Sequence, residues 1–222
     1  MAVVEWDLVD KYFESTSFSD PPCYIGRICE GIGFYHQKDV YCVALQHHDP
    51  TDERQNLYGL CPQPHNMFSR GSPVHELRLE TKEELIAIKA KRRPFVIVSM
   101  PPDQRASGVR QLGDEAYIGV PLYSFRPGED EFKVRIAALE YNNLFYLPQE
   151  APYLDVESFC RFDRIQFLHP AHITPGRARL NRVAWWKFSQ WLRFYLTGRV
   201  DDTMLEYRSL MLTGNQQASG QP

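Results

Sequence analysis

Apolar residues in the first three quarters of the chain fall into short blocks or alternate with polar ones, and helical spacing is confined to a few stretches. Val96-Ile97-Val98, entered through Arg93-Pro94-Phe95, reads as a buried strand, because proline fixes its own φ and pushes the residue before it into the extended region. Tyr24 to Cys29, Gly33 to Tyr35, Asp39 to Leu45, Val74 to Leu79, Ile118 to Ser124, Leu144 to Leu147 and Ser158 to Phe167 supply further strand candidates. Pro127-Gly128 followed by Glu129, Asp130 and Glu131 marks a helix start, with Phe132, Ile136 and Leu139 on one face. Thr81-Lys82-Glu83-Glu84 has the form of a capping box and predicts a helix from Glu83 to Ala90. Between Arg177 and Leu196 the residues Leu180, Ala184, Phe188, Trp191 and Tyr195 recur at helical spacing, widened by Trp185, Trp186 and Leu192. Aromatic stripes of this kind are far more often core or dimer interface than base-stacking platforms. Residues 50–73 hold four prolines with Asn, Gly and Ser, which predicts a long loop, and the apolar-poor stretch 213–222 predicts a disordered tail.

Composition narrows the class. A chain of 222 residues with 43% hydrophobic and 13% aromatic content supports one sizeable core, or a core with an appendage. The five cysteines are odd in number and none is spaced Cys-x-x-Cys, as expected for reduced structural thiols in a cytoplasmic protein. Neither a secretory leader nor a membrane span is expected, since the first ten residues carry Glu5, Asp7 and Asp10 and no apolar run reaches spanning length. The net charge of −3 hides an asymmetry: residues 1–20 hold five acids and one lysine, whereas residues 164–200 hold seven Lys and Arg and no acid. Together with Lys89, Lys91, Arg92 and Arg93, that block is the electrostatic footprint of a polyanion-binding surface, or else a solvated helix face that meets an acidic partner.

A guanidinium fixed at the mouth of a strand, as Arg93 is by Pro94, presents a planar fork of donors to an oxyanion. His47-His48-Asp49 offers imidazoles that titrate near neutrality. His169-Pro170-Ala171-His172 has metal-pair spacing, but Pro170 argues against the helix such a pair needs, so no metal and no cofactor are expected. No Gly-x-Ser-x-Gly elbow, P-loop, His-Glu-x-x-His or dinucleotide fingerprint is present.

Four segments in one order carry a resemblance. Asp39-Val40-Tyr41-Cys42-Val43-Ala44-Leu45 precedes Asp49-Pro50-Thr51; then come Arg93-Pro94 with its strand, Ile118-Gly119-Val120-Pro121-Leu122-Tyr123-Ser124, and Asp163-Arg164-Ile165-Gln166. This order resembles the MazF/PemK family of toxin endoribonucleases. The resemblance implies a mainly β (α+β) fold: a small SH3-like barrel over about 39–168, a strand and helix inserted over about 52–91, and a C-terminal helix over about 177–197. All of it lies in one domain, 1–212. It implies cleavage of single-stranded RNA without a metal: the ribose 2′-hydroxyl attacks phosphorus while side chains take the proton and hold the developing charge. Arg93 matches the family's arginine. Tyr123 stands where the family has threonine, with Ser124 the neighbouring hydroxyl, and these three are the candidate catalytic residues. Arg92, His48, Arg126, Arg164, Arg177, Arg179 and Arg182 are the candidate RNA contacts. A homodimer and a small acidic antitoxin are the implied partners. The alternative is a catalytically inert barrel that binds nucleic acid or protein, since fold does not dictate activity.

Overall fold

The computed structural model describes residues 11–16, 24–35, 41–47, 49, 51–52, 55–62, 77–99 and 116–219. In chain order the strands are β1 (Phe13–Ser15), β2 (Arg27–Phe34), β3 (Tyr41–His47), β4 (Leu57–Pro62), β5 (Ile86–Ala87), β6 (Ala90–Ser99), β7 (Tyr117–Ser124), β8 (Leu144–Leu147), β9 (Ser158–Arg161), β10 (Gln166–Leu168) and β11 (Thr174–Leu180). The helices are α1 (Asp130–Ala137), α2 (Arg182–Thr197) and α3 (Asp202–Ser219). The fold is mainly β with antiparallel sheets, and it divides into two compact units, 1–33 with 92–222 and 34–91.

The larger unit is built on an eight-stranded sheet in the order β1-β11-β2-β6-β7-β9-β8, with β10 also paired to β7. Its first face carries Val96, Val120, Leu122 and Cys160, which share a core with Ala184, Phe188 and Trp191 of α2. Those helical residues are four and three positions apart, so one stripe meets the sheet. Trp191 is fully buried, and its indole N–H donates to the carbonyls of Tyr141 and Leu144, each at 3.1 Å. Asn181 caps α2 by accepting from the amides of Val183 and Ala184, and Gly198 closes it in the left-handed region at φ 69°. The aromatic stripe is therefore core, as its spacing predicts.

On the opposite face, Phe95 and Ile97 form a small cluster with Cys29 and Leu168. Leu168 lies over both Gly119 of β7 and Gly31 of β2; a Cβ at Gly119 would sit 2.6 Å from its Cδ1, and one at Gly31 3.5 Å from its Cδ2. Missing side chains at these two positions let the sheet curl tightly around Phe95. The curl brings Gln166 of β10 within reach of β2, where its side-chain amide donates to the Ile32 carbonyl at 2.8 Å. Among the described residues no ladder joins β10 to β2, and no closed barrel is found.

Residues 34–91 hold a separate three-stranded sheet in the order β4-β3-β5. The strand expected over Asp39 to Leu45 is found as β3, but it belongs to this sheet and not to the large one. The strand that stands beside β6 in the large sheet is β2, which lies outside the expected core of 39–168. In the Asp49-Pro50-Thr51 loop, the Asp49 carboxylate accepts from the Thr51 amide at 2.8 Å, its hydroxyl at 2.7 Å and the Asp52 amide at 3.1 Å. These bonds make it a self-capped turn.

Three expectations are corrected. The helix expected over Glu83 to Ala90 is absent: Ile86–Ala87 is strand, and β6 begins at Ala90. Lys82 takes the left-handed conformation at φ 67°, which ends any helix there. Amides of Val43 and Tyr35 then draw the carbonyls of Leu85 and Lys89 into extended pairing, at 3.0 and 2.8 Å. The capping-box bond survives one residue displaced, from the Glu80 amide to the Glu83 carboxylate at 2.8 Å, and closes a turn. The helix expected over about 177–197 starts only at Arg182, because Pro175-Gly176 and the buried, alternating Ala178 and Leu180 make β11. Finally, residues 213–219 of the expected disordered tail are helical, continuing α3, which is anchored by the fully buried Met204. Of the expected strand Val74 to Leu79, residues 74–76 lie outside the described residues, and 77–79 join no named strand. No helix among the described residues is long and apolar enough to cross a membrane.

Candidate nucleic-acid interface

Strand register assembles the site. Phe95 pairs with Pro121 across β6 and β7, and Tyr123 pairs with Phe159 across β7 and β9. Period-two alternation then puts Arg93, Tyr123, Phe159 and Arg161 on one face of three neighbouring strands, opposite the α2 core. The Arg93 guanidinium carbon stands 4.3 Å from the Tyr123 ring centroid, and that of Arg161 stands 5.7 Å away. Both lie within the range over which a ring quadrupole attracts a cation. Tyr123 stacks on Phe159 at 5.8 Å, and Phe159 meets Phe125 at 4.9 Å, so the ring is backed by an aromatic cluster.

Arg93 is further held by a long hydrogen bond to the Leu122 carbonyl at 3.5 Å. Its aliphatic stem lies across Gly33: a Cβ there would come within 2.7 Å of Cδ and 2.9 Å of Cγ and Nε. Gly33 is thus the floor on which the stem rests. Arg161 grips Asp163 with both arms of its fork, at 3.1 and 2.6 Å, and Arg164 approaches the same carboxylate at 3.3 Å. Partial burial pulls the Asp163 carboxyl upward, but hydrogen bonds and charge from Arg161, then Arg164 and Asn143, outweigh it and hold the group below its ordinary value. The same bond to Asp163 raises Arg161.

Of the three candidate catalytic residues, Arg93 and Tyr123 are in contact. Ser124 is exposed at the end of β7, where alternation turns it to the other face. Arg126 is exposed in the turn after β7, and Arg164 ends the 3-10 turn Phe162–Arg164 after β9. Arg92 extends away from this cluster, donating to the Thr174 hydroxyl at 2.7 Å and approaching Glu30 at 3.8 Å. Arg177 and Arg182 are exposed near the two ends of the β11–α2 connection, whereas Arg179 pairs with Glu14 and donates to the Tyr24 hydroxyl at 3.3 Å. His48 lies outside the described residues.

Sequence reading missed Arg161, Phe159 and Gly33. Arg161 becomes a neighbour of Tyr123 only through the antiparallel β7–β9 pairing, which sets it diagonally beside that ring and has no local signal in the sequence. The stem of Arg93 over Gly33 depends on the curl of the sheet and has no local signal. His169 caps the 3-10 turn Pro170–His172 by accepting from the Ala171 amide at 3.2 Å, and its ring lies 5.6 Å from that of His172. Among the described residues, no group of three or more His, Cys, Asp or Glu could hold a metal ion.

The fold and site describe a mainly β protein with a cation-flanked tyrosine on its sheet. Comparison with protein-family models, with curated proteins and with solved structures gave no match.

Proposed function

We propose that the chain is a metal-independent endoribonuclease that takes single-stranded RNA across the Arg93–Tyr123–Arg161 surface. The observation that carries this reading is the 4.3 Å approach of Arg93 to Tyr123, two residues 30 positions apart in sequence that the resemblance to MazF/PemK toxins singles out independently. Arg93 would hold the phosphorane charge with its fork, and the Tyr123 hydroxyl would handle a proton of the 2′-hydroxyl or of the leaving oxygen. Single strands suit such a surface, because their bases and backbone are accessible where those of duplex RNA are not. The curl around Phe95 and the Gln166–Ile32 bond support a barrel of the SH3-like MazF type, incompletely paired at the β10–β2 seam. A homodimer and a small acidic antitoxin are the partners this reading brings with it.

Arg93→Ala should lower the single-turnover cleavage rate of an unstructured RNA by about a hundredfold, the loss of ~3 kcal/mol of transition-state stabilisation, with folding intact. Cleavage should continue in EDTA and leave 2′,3′-cyclic phosphate ends. Equal rates for Arg93→Ala and wild type would overturn the site, and 3′-hydroxyl ends would overturn the chemistry. A second reading, a catalytically inert barrel that binds nucleic acid or protein, is favoured by one observation: Tyr123 stands where the resembled family has threonine, and its ring is stacked on Phe159 at 5.8 Å.

A further inference from the structure

Cys42 and Cys61 face each other directly across β3 and β4. Directly opposed residues send their side chains from the same face of the sheet, with Cβ atoms about 4.5–5.5 Å apart. The Val43 amide is turned the other way, donating to the Leu85 carbonyl at 3.0 Å. The amide and carbonyl of Cys42, one residue earlier, must therefore face β4, which makes Cys42 and Cys61 a hydrogen-bonded pair with Cα atoms about 5.5 Å apart. A disulfide spans Cα separations of about 4.4–6.8 Å and needs Cβ atoms about 3.5–4.5 Å apart, so this pair closes once the two strands draw together locally by about 1 Å. The Cys61 thiol already lies over its partner, with Sγ 3.6 Å from the Cys42 carbonyl oxygen. Cys42 is buried and Cys61 half-exposed, which gives the pair an entry point and an inner resolving sulfur.

We propose that Cys42 and Cys61 are a modification site: they close into a reversible cross-strand disulfide when the chain meets a small-molecule disulfide oxidant of the glutathione class. The half-exposed Cys61 thiolate attacks one sulfur of the oxidant, forming a mixed disulfide and expelling one thiolate. The Cys42 thiol then loses its proton and attacks the Cys61 sulfur, forming the Cys42–Cys61 bond and expelling the second thiolate. Two protons and two electrons leave the protein, and one oxidant molecule becomes two thiols. Burial, then Cys61, then Glu84 push the Cys42 thiol up, which fits its assignment to the second, resolving step. The bridge would tie together residues 19 positions apart and lock the β3–β4 ribbon. Cys29 and Cys160 are buried in apolar clusters of the other unit and do not compete.

The test uses the full chain, incubated with glutathione disulfide, alkylated, digested with trypsin and read by mass spectrometry. Cleavage after Lys38, Arg54 and Arg70 puts Cys42 and Cys61 on separate peptides, 39–54 and 55–70. The expected product is these two peptides joined, two hydrogens lighter than their sum and separated again by dithiothreitol. Cys42→Ser should stop at the glutathione adduct on Cys61, and Cys61→Ser should give no joined peptide. The proposal falls if wild type also stops at the adduct, or if Cys61 is found joined to Cys23.

Discussion

Replacing Tyr123 separates what its ring does from what its hydroxyl does. Tyr123→Leu removes the face against which Arg93 and Arg161 rest, at 4.3 and 5.7 Å, and also removes the stack on Phe159. At a half-exposed site each guanidinium–ring contact contributes about 0.5–1 kcal/mol, so the two together are about 1.5 kcal/mol. Without the ring, Arg93 must be ordered when the phosphate arrives and Arg161, still forked on Asp163, loses the face it shares with Arg93, so single-stranded RNA affinity should fall by up to about tenfold. Loss of the Phe159 stack should cost about 1 kcal/mol of fold stability, or about 2–4 °C in Tm for a chain of this size. Tyr123→Phe keeps the ring and should bind within about twofold of wild type. If the phenol moves a proton in the reaction, the same variant should lose about a hundredfold or more in single-turnover rate. The assay is fluorescence anisotropy with an unstructured oligoribonucleotide at fixed salt, paired with cleavage kinetics and a thermal melt. Wild-type affinity in Tyr123→Leu would refute the platform, and wild-type cleavage in Tyr123→Phe would refute the proton role.

Gly33→Ala places a Cβ 2.7 Å from Arg93 Cδ, which forces the stem aside by about 1 Å; cleavage should drop by about tenfold to a hundredfold with little change in Tm, and unchanged kinetics would show that the stem relaxes freely. Glu157 accepts from Lys133 at 2.8 Å and from the Tyr146 hydroxyl, and these bonds hold its carboxyl below the ordinary value against the opposing effect of burial. A carboxyl depressed by folding stabilises above its unfolded value and loses that contribution as the pH falls through the folded one. Because the side chain is 37% exposed, Glu157→Gln should cost only about 1 kcal/mol near pH 7, a gap that narrows in denaturant melts as the pH falls through the folded-state value; a gap that stays constant with falling pH would refute the ionic origin.

The elements legible in the sequence are those whose own residues over-determine them. Pro94 with Phe95-Val96-Ile97-Val98 reads as a buried strand, Pro127-Gly128 with three acids marks the start of α1, and the aromatic stripe from Ala184 to Trp191 fits core or dimer interface, of which the fold makes it core. Elements fixed by partners were illegible. Ile86-Ala87-Ile88 satisfies a helix or a strand, and the choice was made by β3, which supplies the ladder. Ala178 and Leu180 fit the period of the helix that follows them until β1 and β2 pair with their strand. The site divides the same way. Arg93 was visible because Pro94 fixes it at a strand's mouth, and Tyr123 because the resemblance sets it at the family's threonine position, whereas Arg161 becomes a neighbour only through the β7–β9 register.

Charge read along the chain also differs from charge read on the surface, and the difference bears on where RNA would run. The acid-free block from Arg164 to Val200 suggests one continuous basic face. In the fold, Arg179 is spent on Glu14, Lys187 is buried and stands 4.1 Å from the Tyr207 ring, and α2 turns its stripe inward, so the block does not reach solvent as a unit. Arg177 lies on β11, separated from Arg93 on β6 by the intervening β2, while Arg161, Arg164 and Arg126 follow from the strand ends beside Tyr123. A phosphate path centred on Tyr123 therefore draws on Arg93, Arg161, Arg164 and Arg126. Each phosphate neutralised contributes a slope of about −0.7 in log affinity against log salt, so the total slope counts the arginines engaged. Asp163 sets the limit: as long as its carboxylate holds Arg161 and Arg164, an incoming phosphate must compete for two of those four guanidiniums.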